Sequence, residues 1–300
     1  MVMFDTPLGG TELMYNELMR RLPDTYKERF SIFNYLPNAD FSKKTIFWNQ
    51  LSYDQDAVQF LKDQKYIDQI DHFVFVSHWQ SEMFRKIFNI PGYKTHVIKN
   101  ACIGVEPKIY TNSDTIKICY TSTPWRGLEV LLNAWELMNL ENCELHVFSS
   151  CKIYGKDFAK NDVQYLDLYE KCNQLPNVFY RGSIPNEELR NELPSFDILA
   201  YPNTFEETSC ISVIDALSAG LRVITSNLGA LPETTEGLAR IYPYMMDNKK
   251  HSEKFAKILS EEIKLIKSGL FVPTNQIGIY EPRWSWRTRI KEWKNFLNGL

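Results

Sequence analysis

Two acidic residues at a fixed spacing are the first feature of this sequence that could do chemistry. In "PNTFEETSCISVIDALSAG", residues 202–220, Glu207 follows an apolar run and Asp215 falls inside a predicted helix. Eight residues at the helical rise place them roughly 12 Å apart. That is too far for two carboxylates that share one water, as glycoside hydrolysis needs. The spacing favours a longer ligand with hydroxyl groups at both ends and anionic charge in the middle.

The helix between these acids supplies an anion-binding end. Either Thr208 or Ser209 is predicted as its N-cap. The free amides at its start would then be those of Thr208, Ser209 and Cys210. A nucleotide sugar fits, with its sugar at Glu207, its ribose at Asp215 and its diphosphate near the amides. The alternative is that acids simply favour a helix start, and Glu206 is interpreted in this second way.

A second turn carries an arginine. In "YTSTPWRGLEVLLNAW", residues 120–135, Arg126 and Gly127 follow a predicted strand and begin a helix. A cation at a helix N-terminus opposes the helix dipole unless an anion lies there too. The forked donors of Arg126 would bind a diphosphate, with Ser122 in the same loop. A solvated arginine is the alternative.

A third turn, "PLGGTE" at residues 7–12, also joins a predicted strand to a helix. Gly9 and Gly10 would let the backbone approach a ligand beside an anion-binding helix start. An ordinary tight turn is the alternative. The sequence has no G-x-G-x-x-G and no G-x-x-x-x-G-K-[ST], so the dinucleotide fingerprint and the P-loop are both missing.

These turns belong to a regular alternation of strands and helices. The strand candidates are short, apolar and often β-branched or aromatic, as strands buried on both faces should be. They are "VMF" near the start, "TIFW", "FVFV", "HVI", "IKICYT", "ELHVFS", "NVFYR", "FDILAY", "RVIT" and "ARIY". Helical periodicity lies between them, so the sequence predicts an α/β fold with parallel sheets.

The number of strands favours two sheets rather than one. Lys99 to Thr115 has no periodicity and is rich in Gly, Pro, Asn and Ser, which makes it the predicted linker. We predict a Rossmann-like domain over residues 1–105, a second one over 106–282, and a final helix over 283–300. Ligands of such sheets bind beyond the carboxyl ends of the strands, so the site is expected in the cleft between the domains.

Composition narrows the function classes. The net charge is −3 and the pI is near 6.0, which argues against a nucleic-acid partner. The six cysteines are scattered without metal-site spacing, and no apolar run is long enough to span a membrane. We therefore expect a cytoplasmic protein, with peripheral membrane attachment left open.

Taken together, the motifs resemble the GT-B glycosyltransferases, and in particular the large retaining family 4, glycosyl transferases group 1. The resemblance rests on the Glu207-to-Asp215 segment, the turn "LGALPET", Arg126-Gly127, Gly9-Gly10 and the linker "KNACIGV", in that family's order and spacing. It implies two Rossmann-like domains facing a cleft, with a C-terminal helix that crosses back to the first domain.

The resemblance also implies an activity. It implies a retaining, metal-independent sugar transfer from a nucleoside diphosphate sugar, with no cofactor besides that donor. Glu207 and Arg126 would be the catalytic residues, and Asp215 would contact the ribose. The acceptor, whether a glycan, a lipid-linked compound or a small molecule, would lie near Asn49, Gln50 or His78. Two departures stand out, because Asp215 is shorter than the family's glutamate and Thr121 replaces a second basic residue.

Three alternatives remain at this point. Asp54-Gln55-Asp56 matches the Asp-x-Asp pattern of transferases that bind Mn²⁺ or Mg²⁺ under the diphosphate. The missing basic residue leaves room for a nucleotide-sugar-binding protein with weak or no catalysis. The basic, tryptophan-rich stretch "PRWSWRTRIKEWKNFLNGL" could lie on an anionic membrane instead of packing on the first domain.

Overall fold

The computed structural model describes residues 9–108, 114–138, 140–270 and 273–300. The predicted strand "VMF" lies outside these residues. The helices are α1 (Gly10–Arg21), α2 (Asp24–Arg29), α3 (Gln64–Gln69), α4 (His78–Phe88), α5 (Leu128–Glu136), α6 (Lys156–Ala159), α7 (Leu166–Gln174), α8 (Asn186–Glu192), α9 (Ile211–Ala219), α10 (Leu231–Thr235), α11 (Asn248–Lys267), α12 (Pro273–Trp284) and α13 (Trp286–Asn298). The strands are β1 (Phe30–Phe33), β2 (Lys44–Asn49), β3 (His72–Phe75), β4 (Thr95–Val97), β5 (Ile116–Tyr120), β6 (Cys143–Val147), β7 (Val178–Tyr180), β8 (Ile198–Tyr201), β9 (Arg222–Ser226) and β10 (Arg240–Tyr242).

The strands form two parallel sheets, which confirms the predicted α/β class. The first has the order β1-β2-β3-β4, and the second has the order β10-β9-β8-β5-β6-β7. Every strand pair in both sheets is parallel. Strand β1, "FSIF", is not among the predicted strands. It is short and carries the polar Ser31, whose hydroxyl accepts a hydrogen bond from the Asp40 amide at 2.8 Å.

Apolar side chains cover both faces of each sheet. On one face of the first sheet a phenylalanine cluster includes Phe33, Phe47, Phe73 and Phe75. The second sheet is enclosed in one large cluster that contains β5, β6, β8 and β9 together with α5, α9 and α11. Strand β8 is buried at every position, whereas β6 alternates between buried and partly exposed residues, so only some of these strands are continuous apolar runs.

The last two helices divide between the two cores. Tyr280 and Trp284 of α12 pack in the core of the second sheet, and Trp286, Trp293 and Leu297 of α13 pack on the first. Ser285 separates the helices and caps α13 through the Thr288 amide. The chain therefore crosses back to the first domain, as the resemblance implied. Trp286, Trp293 and Leu297, which belong to the basic, tryptophan-rich stretch considered for membrane contact, are buried against the first sheet.

Two other expectations concern cysteines and membranes. All six cysteines are unpaired and buried. Within the described part of the chain, no helix is both long and apolar enough to cross a membrane.

Candidate functional site

Loops that follow β5, β8 and β9 converge at the carboxyl edge of the second sheet. The loops after β5 and β8 approach each other at Gly127, which has φ 114°. A Cβ on this residue would lie 2.1 Å from the Pro202 carbonyl oxygen. Only glycine permits both this backbone conformation and this contact. The Arg126-Gly127 turn and the loop that carries Glu207 are thus fixed against each other.

The Glu207 carboxylate is buried and doubly hydrogen-bonded. Its Oε1 accepts from Arg126 Nη1 at 2.8 Å and from the Tyr201 hydroxyl at 2.5 Å. The side chain of Glu207 is only 4% exposed. Both hydrogen bonds end at Oε1, and together they fix the orientation of the whole carboxylate, including Oε2.

The turn "LGALPET" holds the backbone of Glu207. Ala230 donates its amide to the Glu207 carbonyl at 2.7 Å. Gly229 has φ 64°, and a Cβ there would lie 2.5 Å from both the amide nitrogen and the carbonyl oxygen of Glu207. This turn therefore supports the loop that carries Glu207. Gly229 is required because the backbones of the turn and of the loop lie so close together.

Arg126 combines burial with several partners. Its guanidinium lies 4.5 Å from the ring centroid of Phe205, and Nη2 is 3.4 Å from the Tyr154 hydroxyl. Its Nε has no hydrogen-bond partner among the described residues. Burial is the largest single influence and opposes the charge, but Glu207, followed by Tyr154, Tyr201 and Cys210, together raise the pKa of Arg126 well above its usual value. A permanent cation with an unused donor is thus held at this edge.

Helix α9 begins later than predicted. Its N-cap is Cys210, which makes no side-chain capping hydrogen bond. The predicted caps are used otherwise, since the Thr208 hydroxyl donates across the cleft to the Gln50 carbonyl at 2.8 Å. The Ser209 Oγ is buried without a partner in the described chain. The amides of the first turn therefore start at Ile211 rather than at Thr208.

Asp215 lies one turn inside α9 and is 8% exposed. Its Oδ1 has no partner among the described residues, and the Cys102 thiol of the linker lies close to the carboxylate. Burial raises the pKa of Asp215 to about 6. A buried carboxylate with an unused oxygen is an acceptor prepared for a ligand hydroxyl.

The two glycines of the first domain reach the same edge. A Cβ on Gly10 would lie 2.7 Å from Cδ1 of Ile211, at the start of α9. A Cβ on Gly9 would lie 2.9 Å from the Tyr154 ring. Both glycines therefore sit in the cleft, directly opposite the Arg126 and Glu207 loops.

The remaining predicted residues differ in position. Ser122 lies in the bend after β5, close to the buried Tyr120 hydroxyl, which itself donates to the Thr123 carbonyl at 2.7 Å. Asn49 is fully buried, and its amide group bonds both backbone groups of Leu51. Gln50 meets Thr208, and its Nε2 lacks a partner within the described residues. His78 has an exposed side chain, and its amide donates to Glu233 on α10 at 2.9 Å.

The Asp-x-Asp pattern lies on the first domain. Asp54 and Asp56 are exposed at the start of a short 3₁₀ helix, Asp56–Lys62. Across residues 9–108, 114–138, 140–270 and 273–300 no group of three or more His, Cys, Asp or Glu side chains could hold a metal ion.

Several tyrosines at the site were missed in the sequence. Tyr201 binds Glu207, Tyr154 lies between Arg126 and Gly9, and Tyr35 binds Glu12. Tyr201 ends a predicted strand directly before the acidic motif, and that position was the available signal. Nothing in the local pattern marks Tyr154 or Tyr35.

Comparison with known proteins agrees with this geometry. Residues 116–263 match the sequence model of the family described as Glycosyl transferases group 1. The chain carries a glycosyltransferase domain. The match contains β5 to β10 and includes Arg126, Glu207 and Asp215. The expectation of a glycosyltransferase is therefore confirmed at the level of this family.

Solved structures show the same fold over the whole chain. A glycosyltransferase from Rickettsia africae aligns with a TM-score of 0.68 at 14% identity, covering 100% of this chain and 84% of the other. HepE of Anabaena in complex with UDP and glucose gives 0.70 at 13%, covering 99% and 85%. Sucrose-phosphate synthase of Thermosynechococcus elongatus gives 0.68 at 15%, covering 96% and 78%. No curated protein matches the chain by sequence. The glycosyltransferase with its two facing domains thus has the predicted GT-B fold.

Proposed function

We propose that this glycosyltransferase moves a sugar from a nucleoside diphosphate sugar to a hydroxyl acceptor, with retention of configuration and without a metal ion. The observation that carries the proposal is the buried Arg126–Glu207 pair at 2.8 Å, which faces the glycine turn of the other domain. A fixed cation and a fixed carboxylate are the groups that a diphosphate and a sugar hydroxyl need.

The site offers a protein group that could bind each part of the donor, namely the diphosphate, the sugar and the ribose. Arg126 has five N–H donors, and the pair with Glu207 uses one of them. Its unused Nε and the amides from Ile211 onward would bind the diphosphate. Glu207 would accept a hydrogen bond from the sugar, and the free Oδ1 of Asp215 would accept one from the ribose. We infer a uridine nucleotide as the first to test, because HepE was solved with UDP and glucose.

Arg126 also supports the chemistry. Charge develops on the diphosphate as the bond to the sugar breaks, and a preorganised cation stabilises that charge without solvent rearrangement. The departing phosphate oxygen would take the proton of the acceptor hydroxyl on the same face of the sugar, which accounts for retention without a protein nucleophile. Positioning by the rigid loops supplies most of the remaining rate enhancement.

The test compares Glu207→Gln with the exposed Glu188→Gln on α8 as a matched control. Transfer and hydrolysis of UDP-sugars are followed with EDTA and with Mn²⁺. We expect Glu207→Gln to lower the rate by roughly a hundredfold or more, the usual cost of one oriented active-site group. We expect Glu188→Gln and EDTA to change little. A Glu207→Gln rate within twofold of the parent would remove Glu207 from the site.

Thermal unfolding with the same ligands, combined with this assay, separates the two alternatives, a binding protein without catalysis and a metal-dependent transferase. A shift in melting temperature with UDP-sugars but neither transfer nor hydrolysis would indicate a binding protein, as the Thr121 replacement allows. A shift that needs Mn²⁺ would point to Asp54 and Asp56. We further propose a cytoplasmic location, which the buried, unpaired cysteines support.

A further inference from the structure

A second acid, Glu12, is held in the cleft by the first domain. Its Oε1 accepts a hydrogen bond from the Tyr35 hydroxyl at 2.8 Å. Its Oε2 lies near Gly9, because a Cβ there would be 3.0 Å from this oxygen and 2.9 Å from the Tyr154 ring. Burial, then the nearby Glu12 carboxylate, raise the pKa of Tyr35. The carboxylate is thus oriented before any ligand arrives.

A third acid lies on the other side of Arg126. The guanidinium covers Phe205, and the next residue, Glu206, accepts a hydrogen bond from the Tyr53 hydroxyl at 2.9 Å. Tyr53 belongs to the first domain, and the charge of Asp54 also acts on it. Glu206 therefore faces the acceptor-side domain, contrary to its interpretation as an ordinary helix-start acid.

Two polar groups at the same contact lack partners in the described chain. The Ser209 Oγ is in a residue only 9% exposed, next to the Thr208 hydroxyl that reaches the Gln50 carbonyl. The Gln50 Nε2 is likewise buried and unused. The Ser209 hydroxyl can donate a hydrogen bond, and the Gln50 side-chain nitrogen can only donate one. Both groups could therefore bind oxygen atoms of a ligand.

We propose that the acceptor is an uncharged, polyhydroxylated compound such as a sugar unit, held by Glu12 and Glu206. The inference rests on the proposed function and concerns the acceptor half of the same cleft. Sugar hydroxyls donate hydrogen bonds to carboxylates, and hydrogen bonds to a charged group are the stronger kind. The Gln50 amide and the Ser209 hydroxyl would meet further oxygens of the same ligand.

The charges near Glu12 and Glu206 disfavour an acceptor that carries a negative charge. Glu12, Asp54 and Glu206 are carboxylates near the acceptor path. The hydrogen bonds and ion pairs of Glu12, Tyr35, Tyr154 and Glu206 include one cation, Arg126, which is already paired with Glu207. Beside Glu12 and Glu206, a phosphate or carboxylate on the acceptor would meet like charges, which discriminates against it.

The experiment uses the whole chain with UDP-sugar donors and two sets of acceptors. Neutral methyl glycosides are compared with sugar 6-phosphates and uronic acids at equal concentration. The variants are Glu12→Gln and Glu206→Gln, with Glu17→Gln as control. Glu17 lies on the same helix as Glu12 but pairs with Arg20 and Arg21. Donor affinity, donor hydrolysis and melting temperature are recorded for each variant.

We expect the parent enzyme to transfer sugar to the neutral methyl glycosides faster than to the sugar 6-phosphates and uronic acids. Glu12→Gln and Glu206→Gln should each lower kcat/KM for the acceptor by roughly tenfold to a hundredfold, while donor affinity and hydrolysis stay within about twofold. Donor hydrolysis with transfer only to charged sugars, or to none of the panel, would overturn the inference and leave the proposed function standing. Absence of donor binding would overturn both. Equal losses in the Glu17→Gln control would also refute the assigned roles.

Discussion

Replacing Asp215 by asparagine should stabilise the free protein while weakening its donor binding. Burial raises the pKa of this carboxyl from 3.8 to about 6. The folded state therefore binds the proton more tightly than the unfolded state, and its stability falls as pH rises through this window. The penalty amounts to about 3 kcal/mol near pH 7.5 and to about 1 kcal/mol near pH 4.5. Asparagine carries no charge and avoids it.

Urea unfolding of the parent and of Asp215→Asn at both pH values measures this difference. The variant should gain most near pH 7.5, and the gain should shrink toward pH 4.5. Asp157→Asn is the control, because its carboxylate is 97% exposed and should change stability by less than about 0.5 kcal/mol. Donor affinity should fall in the same variant, since asparagine accepts a ribose hydroxyl less strongly. A loss of stability at both pH values would refute the reasoning.

Two further predictions test the supports of the site. Gly229→Ala should lower the transfer rate at least tenfold, because its Cβ would lie 2.5 Å from the Glu207 backbone. Gly237→Ala is its control, with a similar φ of 80° and no atom within 4 Å, so it should cost about 1 kcal/mol of stability but little activity. Trp293→Ala should destabilise by about 3–5 kcal/mol, measured by urea unfolding against the exposed Lys291→Ala. An active Gly229→Ala or a fully stable Trp293→Ala would contradict these assignments.

The sheets could be predicted because their strands are buried on both faces. Strand β8, "ILAY", is a continuous apolar run and is buried along its whole length, as is typical of a strand that lies between two layers of helices. Strand β1 escaped because Ser31 interrupts a very short run. The start of α9 was misplaced for another reason. Thr208 has the residue type of an N-cap, but its hydroxyl is drawn to Gln50, 158 positions away in sequence.

The residues of the site also fall into two groups, those that a local sequence pattern indicates and those that only long-range contacts bring in. Glu207 and Arg126 could be found because each follows a strand of the second parallel sheet, and such strand ends meet at one edge. The partners that fix them come from contacts between distant segments. Glu12 meets Tyr35, and Glu206 meets Tyr53 across the cleft. No local periodicity encodes these pairs, which is why the sequence alone predicts an ordinary helix-start acid at Glu206.

The two kinds of contact between the domains suggest how a donor enters. The crossover is apolar, with Trp293 buried and its ring centroid 5.2 Å from that of Trp48. The cleft contacts are mostly single hydrogen bonds, from Thr208 to Gln50 and from Tyr53 to Glu206. A net hydrogen bond contributes about 1 kcal/mol, whereas a buried tryptophan contributes several. Opening should therefore part the cleft and spare the crossover, with the chain near Cys102 and Ser285 as the hinge. The polar contacts are then replaced by donor and acceptor hydroxyls when the cleft closes again.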